Sequence, residues 1–189
     1  MSYSPWDGAA SYFKGYLQEV CLLKGVAKYV EKFSPSIAVM SMTGIPAADD
    51  SPIYDTLTPL AMNFDGVPNT AEFADSCRNR YVHTYGNVVL KNTDYVTGGC
   101  SALFDGAGDF LLANSDSGFA FGASDFTIEF YVKPLSFTAN IPIVQYRSTA
   151  QAGNDCWSVE LTTSKQLVWR YSTTGAGFVD YTISSIFLS

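Results

Sequence analysis

The chain has 189 residues and a formal net charge of −7. Acidity of this degree, with no Lys/Arg cluster to offset it, argues against nucleic acid and against an anionic membrane surface as partners. Aromatic residues supply 15% of the chain and charged residues another 15%, a balance that suits half-buried strands better than solvent-facing helices.

No apolar run reaches the roughly 20 residues of a membrane helix, and Met1 to Ala10 lacks a basic stretch followed by an apolar core. Neither a membrane span nor a signal peptide is therefore expected. Cys21, Cys77, Cys100 and Cys156 lie far apart and His83 is the only histidine, so zinc spacing is absent. Cys77 and Cys100 would pair if their strands are neighbours. Four free thiols are the other reading, and the one a chain without a secretory signal favours.

Residues 1–44 form a first region. Phe13 to Leu23 reads as a strand. Strict alternation places Tyr16, Gln18, Val20 and Leu22 on one face and Leu17, Glu19, Cys21 and Leu23 on the other. The alternation is imperfect, and the strand is apolar enough to be covered on both sides. Lys24-Gly25 breaks it, and Val26 to Val30 reads equally as a short strand or a helical turn. Residues 45–59 are linker-like, because Pro46, Pro52 and Pro59 rule out a regular helix or a central strand.

Residues 60–189 read as strand after strand. Leu60 to Phe64 stops at Asp65-Gly66, and Arg80 to Tyr85 stops at Gly86-Asn87. Cys100 to Phe104 stops at Asp105-Gly106, and Phe126 to Val132 stops at Lys133-Pro134. Ile141 to Tyr146, Cys156 to Leu161 and Gln166 to Tyr171 follow. Trp157, Val159 and Leu161 alternate with Ser158 and Glu160, and Leu167, Trp169 and Tyr171 alternate with Val168 and Arg170. Short strands at such spacing, divided by Gly, Asp and Asn turns, predict an all-β antiparallel sandwich with one face of each sheet on a core.

Gly98 to Leu111, with its Ser-Ala-Leu-Phe-Asp-Gly run, resembles the opening of the laminin-G-like, concanavalin A-like domains of bacteriophage structural proteins. Phe119 to Pro134 resembles that family's next motif, and Leu60 to Gly66 its first strand. Phe73 to Ser76, Ile143 to Arg147 and Trp157 to Leu161 follow in matching order. The likeness spans about residues 57–189. Phe13 to Val20, Lys24 to Tyr29 and Phe33 to Pro35 resemble the family's closing motif, which here comes first. Gln18 and Cys21 stand where the family has Asp and Arg. The strand and hairpin of the family's middle have no counterpart before Ser189.

The resemblance implies a jelly-roll-like sandwich, complete or partial. An incomplete sandwich leaves open edges that recruit another chain. Three arrangements follow for Tyr16, Leu17, Val20 and Leu22. They belong to a separate tandem unit, they complete the chain's own sheet, or they complete a neighbour's sheet by strand addition. The first and third are favoured, and pairing within a sheet is expected in every case.

Enzymatic chemistry finds little footing. Glu129 stands alone where glucanases on this sandwich carry three acids, and Glu129 with Glu160 reads as two solvated strand carboxylates. No nucleophile–histidine set or phosphate loop is credible. The resemblance implies calcium as a possible ligand, with Asp65, Asp105 and Asp109 as candidate oxygen donors; plain turn chemistry explains the same residues. Tyr131, Tyr146 and Trp169 are candidate glycan-stacking residues, against the competing reading as core or interface aromatics. The resemblance further implies a non-enzymatic virion protein, a tail fibre, adhesin or capsid decoration. Its partners are copies of itself, other virion proteins or a host surface glycan. A cell-surface lectin domain or a degenerate glycoside hydrolase are the alternatives.

Overall fold

Alternating aromatic and β-branched residues leave the chain few ways to hide its apolar faces other than by stacking sheets, and the computed structural model has that form. It describes residues 12–28, 57–78, 80–114, 116–146, 156–172 and 177–185. Among the described residues there are eleven strands: β1 (Lys14–Lys24), β2 (Leu60–Met62), β3 (Val82–Tyr85), β4 (Val89–Lys91), β5 (Ser101–Asp105), β6 (Phe110–Ala113), β7 (Phe126–Pro134), β8 (Ile141–Tyr146), β9 (Cys156–Leu161), β10 (Gln166–Ser172) and β11 (Val179–Ser185). A 3-10 turn, Ser117–Phe119, lies between β6 and β7.

All pairings are antiparallel. β1, β2, β4, β5 and β7 make one sheet, β8 to β11 a second in the order β11-β10-β9-β8, and β3 with β6 a two-stranded ribbon. One core joins them, drawing Leu17, Val20 and Leu22 from β1, Ala102 and Phe104 from β5, and Ile141, Trp157 and Leu161 from the second sheet. The architecture is all-β and sandwich-like.

β1 is the spine of the first sheet. β7 runs along one edge from Gly15↔Pro134 to Lys24↔Phe126. The other edge is shared end to end, with β5 against Lys14 to Leu17 and β2 against Val20 to Leu22. Tyr16, Leu17, Val20 and Leu22 thus lie in the chain's own sheet, the arrangement the sequence favours least. The proline-rich linker expected over residues 45–59 falls outside the described residues except for its last three.

Strict alternation fails within β1, for a definite reason. Gln18 pairs with Tyr131 and Cys21 with Glu129, so Glu19 and Val20 together face Phe130 alone. Glu19 is the extra residue of this β-bulge, with φ 55°. The bulge moves Val20 and Leu22 onto the face of Leu17, and these three enter the core together. The expectation that Leu17 opposes Val20 and Leu22 is thereby corrected.

β4, β6 and β11 are strands that the pattern left unread, and Val26 to Lys28 adopt neither a strand nor a helical turn. β7 runs on through Pro134, whose missing N–H is tolerated at a strand end on the sheet's margin. β9 is buried on both faces from Trp157 to Leu161, where one solvated face was expected. It lies between β8 and β10, and Ser158 and Glu160 satisfy one another through a 2.8 Å hydrogen bond. Cys100 carries a free thiol, so it is not paired with Cys77.

Because β1 contributes to the core of its own chain, Leu22→Ala should lower stability by about 2–4 kcal/mol, by the same amount at every protein concentration. A cost that appears only in the assembled state would instead make β1 an exchanged arm.

Candidate functional site

The bulge of β1 turns two polar side chains away from the core, and each finds a different environment. Gln18 is 2% exposed, yet every polar atom of its amide is used. Its Nε2 donates to the carbonyls of Thr97 and Cys100, the latter at 2.8 Å, and its Oε1 accepts from the Val96 N–H at 2.8 Å. This clamp holds the 96–100 turn, where Gly98 and Gly99 both take left-handed φ values.

Glu19 is 3% exposed, and its Oε1 has no hydrogen-bond partner. Burial pushes its carboxyl up to about 7, and the charge of Asp65 adds to the effect. Asp65 follows Phe64, a second buried non-glycine residue in the left-handed region, at φ 59°. Backbone strain of this kind persists only where surrounding structure enforces it. The Asp65 carboxylate rests against Gly98, so that a Cβ at Gly98 would collide with it. Asp65 itself is exposed, although desolvation raises its pKa. The phenol of Tyr131 on β7 lies close enough that Glu19 raises its pKa, after a larger contribution from desolvation. Asp65 also lines an open cleft of about 650 Å³, with Glu72, Phe73 and Tyr81 in its wall.

The other candidates distribute differently. Asp105 and Asp109 come together as a turn staple. Asp109 is buried, its Oδ1 accepting from Asn87 N at 2.8 Å and its Oδ2 from Asp105 N at 2.6 Å. Asp105 accepts from Ala107 N, which lowers its pKa. This staple lies opposite Lys14, five positions along β1 from Glu19, or roughly 16 Å in an extended strand. Asp65 is therefore apart from the two aspartates with which it was grouped.

Trp169 stacks on Phe126 and Trp157 at ring-centroid distances of 4.9 and 5.4 Å, and Tyr146 packs toward Phe119 and Trp157. Tyr131 alternates with Phe130 and Val132, which pack on the core, and so lies on the opposite face of β7. The three aromatics do not share one surface. Glu129 and Glu160 are not solvated, with side chains only 10% and 9% exposed, and are held by Lys28 at 2.9 Å and Arg170 at 3.0 Å. His83, on β3, packs edge-on to Tyr81.

Glu19 escaped the sequence reading. Its signal was present as two successive polar residues, Gln18-Glu19, inside an otherwise apolar strand, a pattern that a bulge resolves.

No family model matches the chain, no curated protein matches it in sequence, and no solved structure matches it in fold. The laminin-G-like resemblance rests on the motifs themselves.

The folded protein binds the Glu19 proton more tightly than the unfolded chain, where glutamate titrates near 4.5. The associated stability is full below that value and is lost as pH rises through about 7. Glu19→Gln, which mimics the neutral carboxyl, should raise the free energy of unfolding at about pH 8 by up to about 3 kcal/mol and leave it nearly unchanged at about pH 4. Equal stabilities of the two proteins at the higher pH would show that the carboxylate carries no burial penalty.

Proposed function

We propose that this chain is a non-enzymatic structural module of a bacteriophage particle, a tail fibre, adhesin or capsid decoration protein. Its sandwich, jelly-roll-like and concanavalin A-like in this reading, serves assembly or attachment to a surface glycan. The ordered motifs from Leu60 to Leu161 support the family reading, and the antiparallel all-β architecture agrees with it.

One observation carries the assembly role. β11 closes the order of the second sheet, pairing with β10 along one edge. Val179, Tyr181 and Ile183 recur at period two along it and are 46%, 58% and 53% exposed. Trp169 pairs with Tyr181 and Tyr171 with Val179, so this apolar stripe continues the face on which Trp169 meets the core. Asp180, on the other face, is tied to Arg170 at 2.8 Å. Edge strands that stay alone are commonly guarded by inward charge, proline or a covering element. An apolar margin of this kind suits pairing with another copy or another virion protein.

Light scattering on the intact chain should show self-association that Tyr181→Lys or Ile183→Lys abolishes, with near-native far-ultraviolet circular dichroism in both variants. A wild-type protein that stays monomeric at its highest attainable concentration, with no gain in mass on mixing with phage structural proteins, would overturn the assembly role.

A further inference from the structure

We propose that the open cleft lined by Asp65, Glu72, Phe73 and Tyr81 docks a basic segment of a partner protein, one that presents arginine or lysine side chains. The site stands independently of the assembly reading, whose edge lies on β11. Direct contacts fix its walls. Phe64 and Phe73 meet edge to face with ring centroids 5.9 Å apart. The Ser76 N–H donates to the Ala61 carbonyl at 2.7 Å, and an isolated antiparallel bridge joins Ala74 to Tyr81. These contacts bring three stretches of chain together, and the cleft of about 650 Å³ is lined by residues from all three.

The lining joins two kinds of group. Phe64 and Val82 are buried, Phe73 is half-buried and Tyr81 is 68% exposed. Such a surface takes the methylene stem of a long basic side chain and offers its charged head an aromatic face. Asp65 and Glu72 are exposed acids, and no ion pair among the described residues involves either. Among the described residues no Lys, Arg or His lines the cleft. The basic side chains close by in sequence are spent elsewhere. Arg78 donates to the Thr58 carbonyl at 3.2 Å, Arg80 lies 2.7 Å from Asp116, and Lys91 donates to Asn69 at 2.6 Å. The cleft is thus negative and partly aromatic, with no cation of its own, and charge complementarity selects a basic occupant. Arginine suits it best, since its guanidinium both pairs with carboxylates and stacks on rings. An open cleft leaves a free amine largely in water, whereas a side chain carried on a longer segment adds contacts beyond the cleft. A second copy of this chain is the poorer occupant, because it brings the same net charge of −7.

Amide NMR titration of the intact chain with an end-blocked hexapeptide of alternating arginine and glycine tests the site. Shifts should move at Asn63 to Gly66, Ala71 to Ser76 and Tyr81 to Thr84, and binding should weaken as salt is added. The analogue with citrulline in place of arginine should bind about tenfold more weakly. Glu72→Gln and Tyr81→Ala should each weaken the arginine peptide by about fivefold. Asp125→Asn, which removes an exposed acid outside the cleft, should leave binding unchanged. Absence of any shift in the wild type would overturn the proposal. Equal losses in Glu72→Gln and Asp125→Asn would also overturn it, by spreading the peptide over the acidic surface at large. Argininamide binding as tightly as the hexapeptide would overturn it by making the cleft a site for small amines. The comparison of arginine and citrulline peptides on the wild type decides the matter even where a variant fails to fold.

Discussion

Everything in the first sheet is constrained by β1, which must satisfy β7 along one edge and both β5 and β2 along the other. Leu17 meets β5 and β7 before the bulge, and Leu22 meets β2 and β7 after it. Each must point inward for the core to close. An uninterrupted pleat cannot do this, because residues separated by an odd number of positions face opposite ways. One extra residue in the left-handed region settles the conflict. That the extra residue is a glutamate, and not a glycine, ties the geometry of the core to the electrostatics of the outer face.

Much of the fold was legible from period two. β7, β9 and β10 announce themselves because Phe126, Ile128, Phe130 and Val132, or Trp157, Val159 and Leu161, mark one face without interruption. β4 and β6, of three and four residues, are too short to show a period. β11, with Asp180 and Thr182 between its apolar residues, carries a clear alternation that the glycines just before it disguise. The place of β1 in the chain's own sheet was not legible at all. Pairing partners that distant leave no local trace, and the order of the motifs pointed elsewhere.

The candidate site was legible only in part. Asp65 was visible as a turn acid, and its grouping with Asp105 and Asp109 followed from their shared Asp-x or Asp-Gly settings. Three-dimensional neighbours decide otherwise: Asp109 is consumed by backbone donors, whereas Asp65 meets an acid from a strand that precedes it by more than forty residues. Glu129 and Glu160 show the converse. They look solvated in the alternation and are covered, each beside a basic partner. Patterning reports which face a residue takes and says little about what lies over that face.

The pairing of β1 with β7 also sets a timetable. The two strands are separated by roughly a hundred residues, while β8, β9, β10 and β11 meet as successive hairpins. Loop closure over such a span is slow relative to hairpin formation. On a ribosome, β1 emerges well before β7, and the edge it shares with that strand stays open until Phe126 to Pro134 arrive.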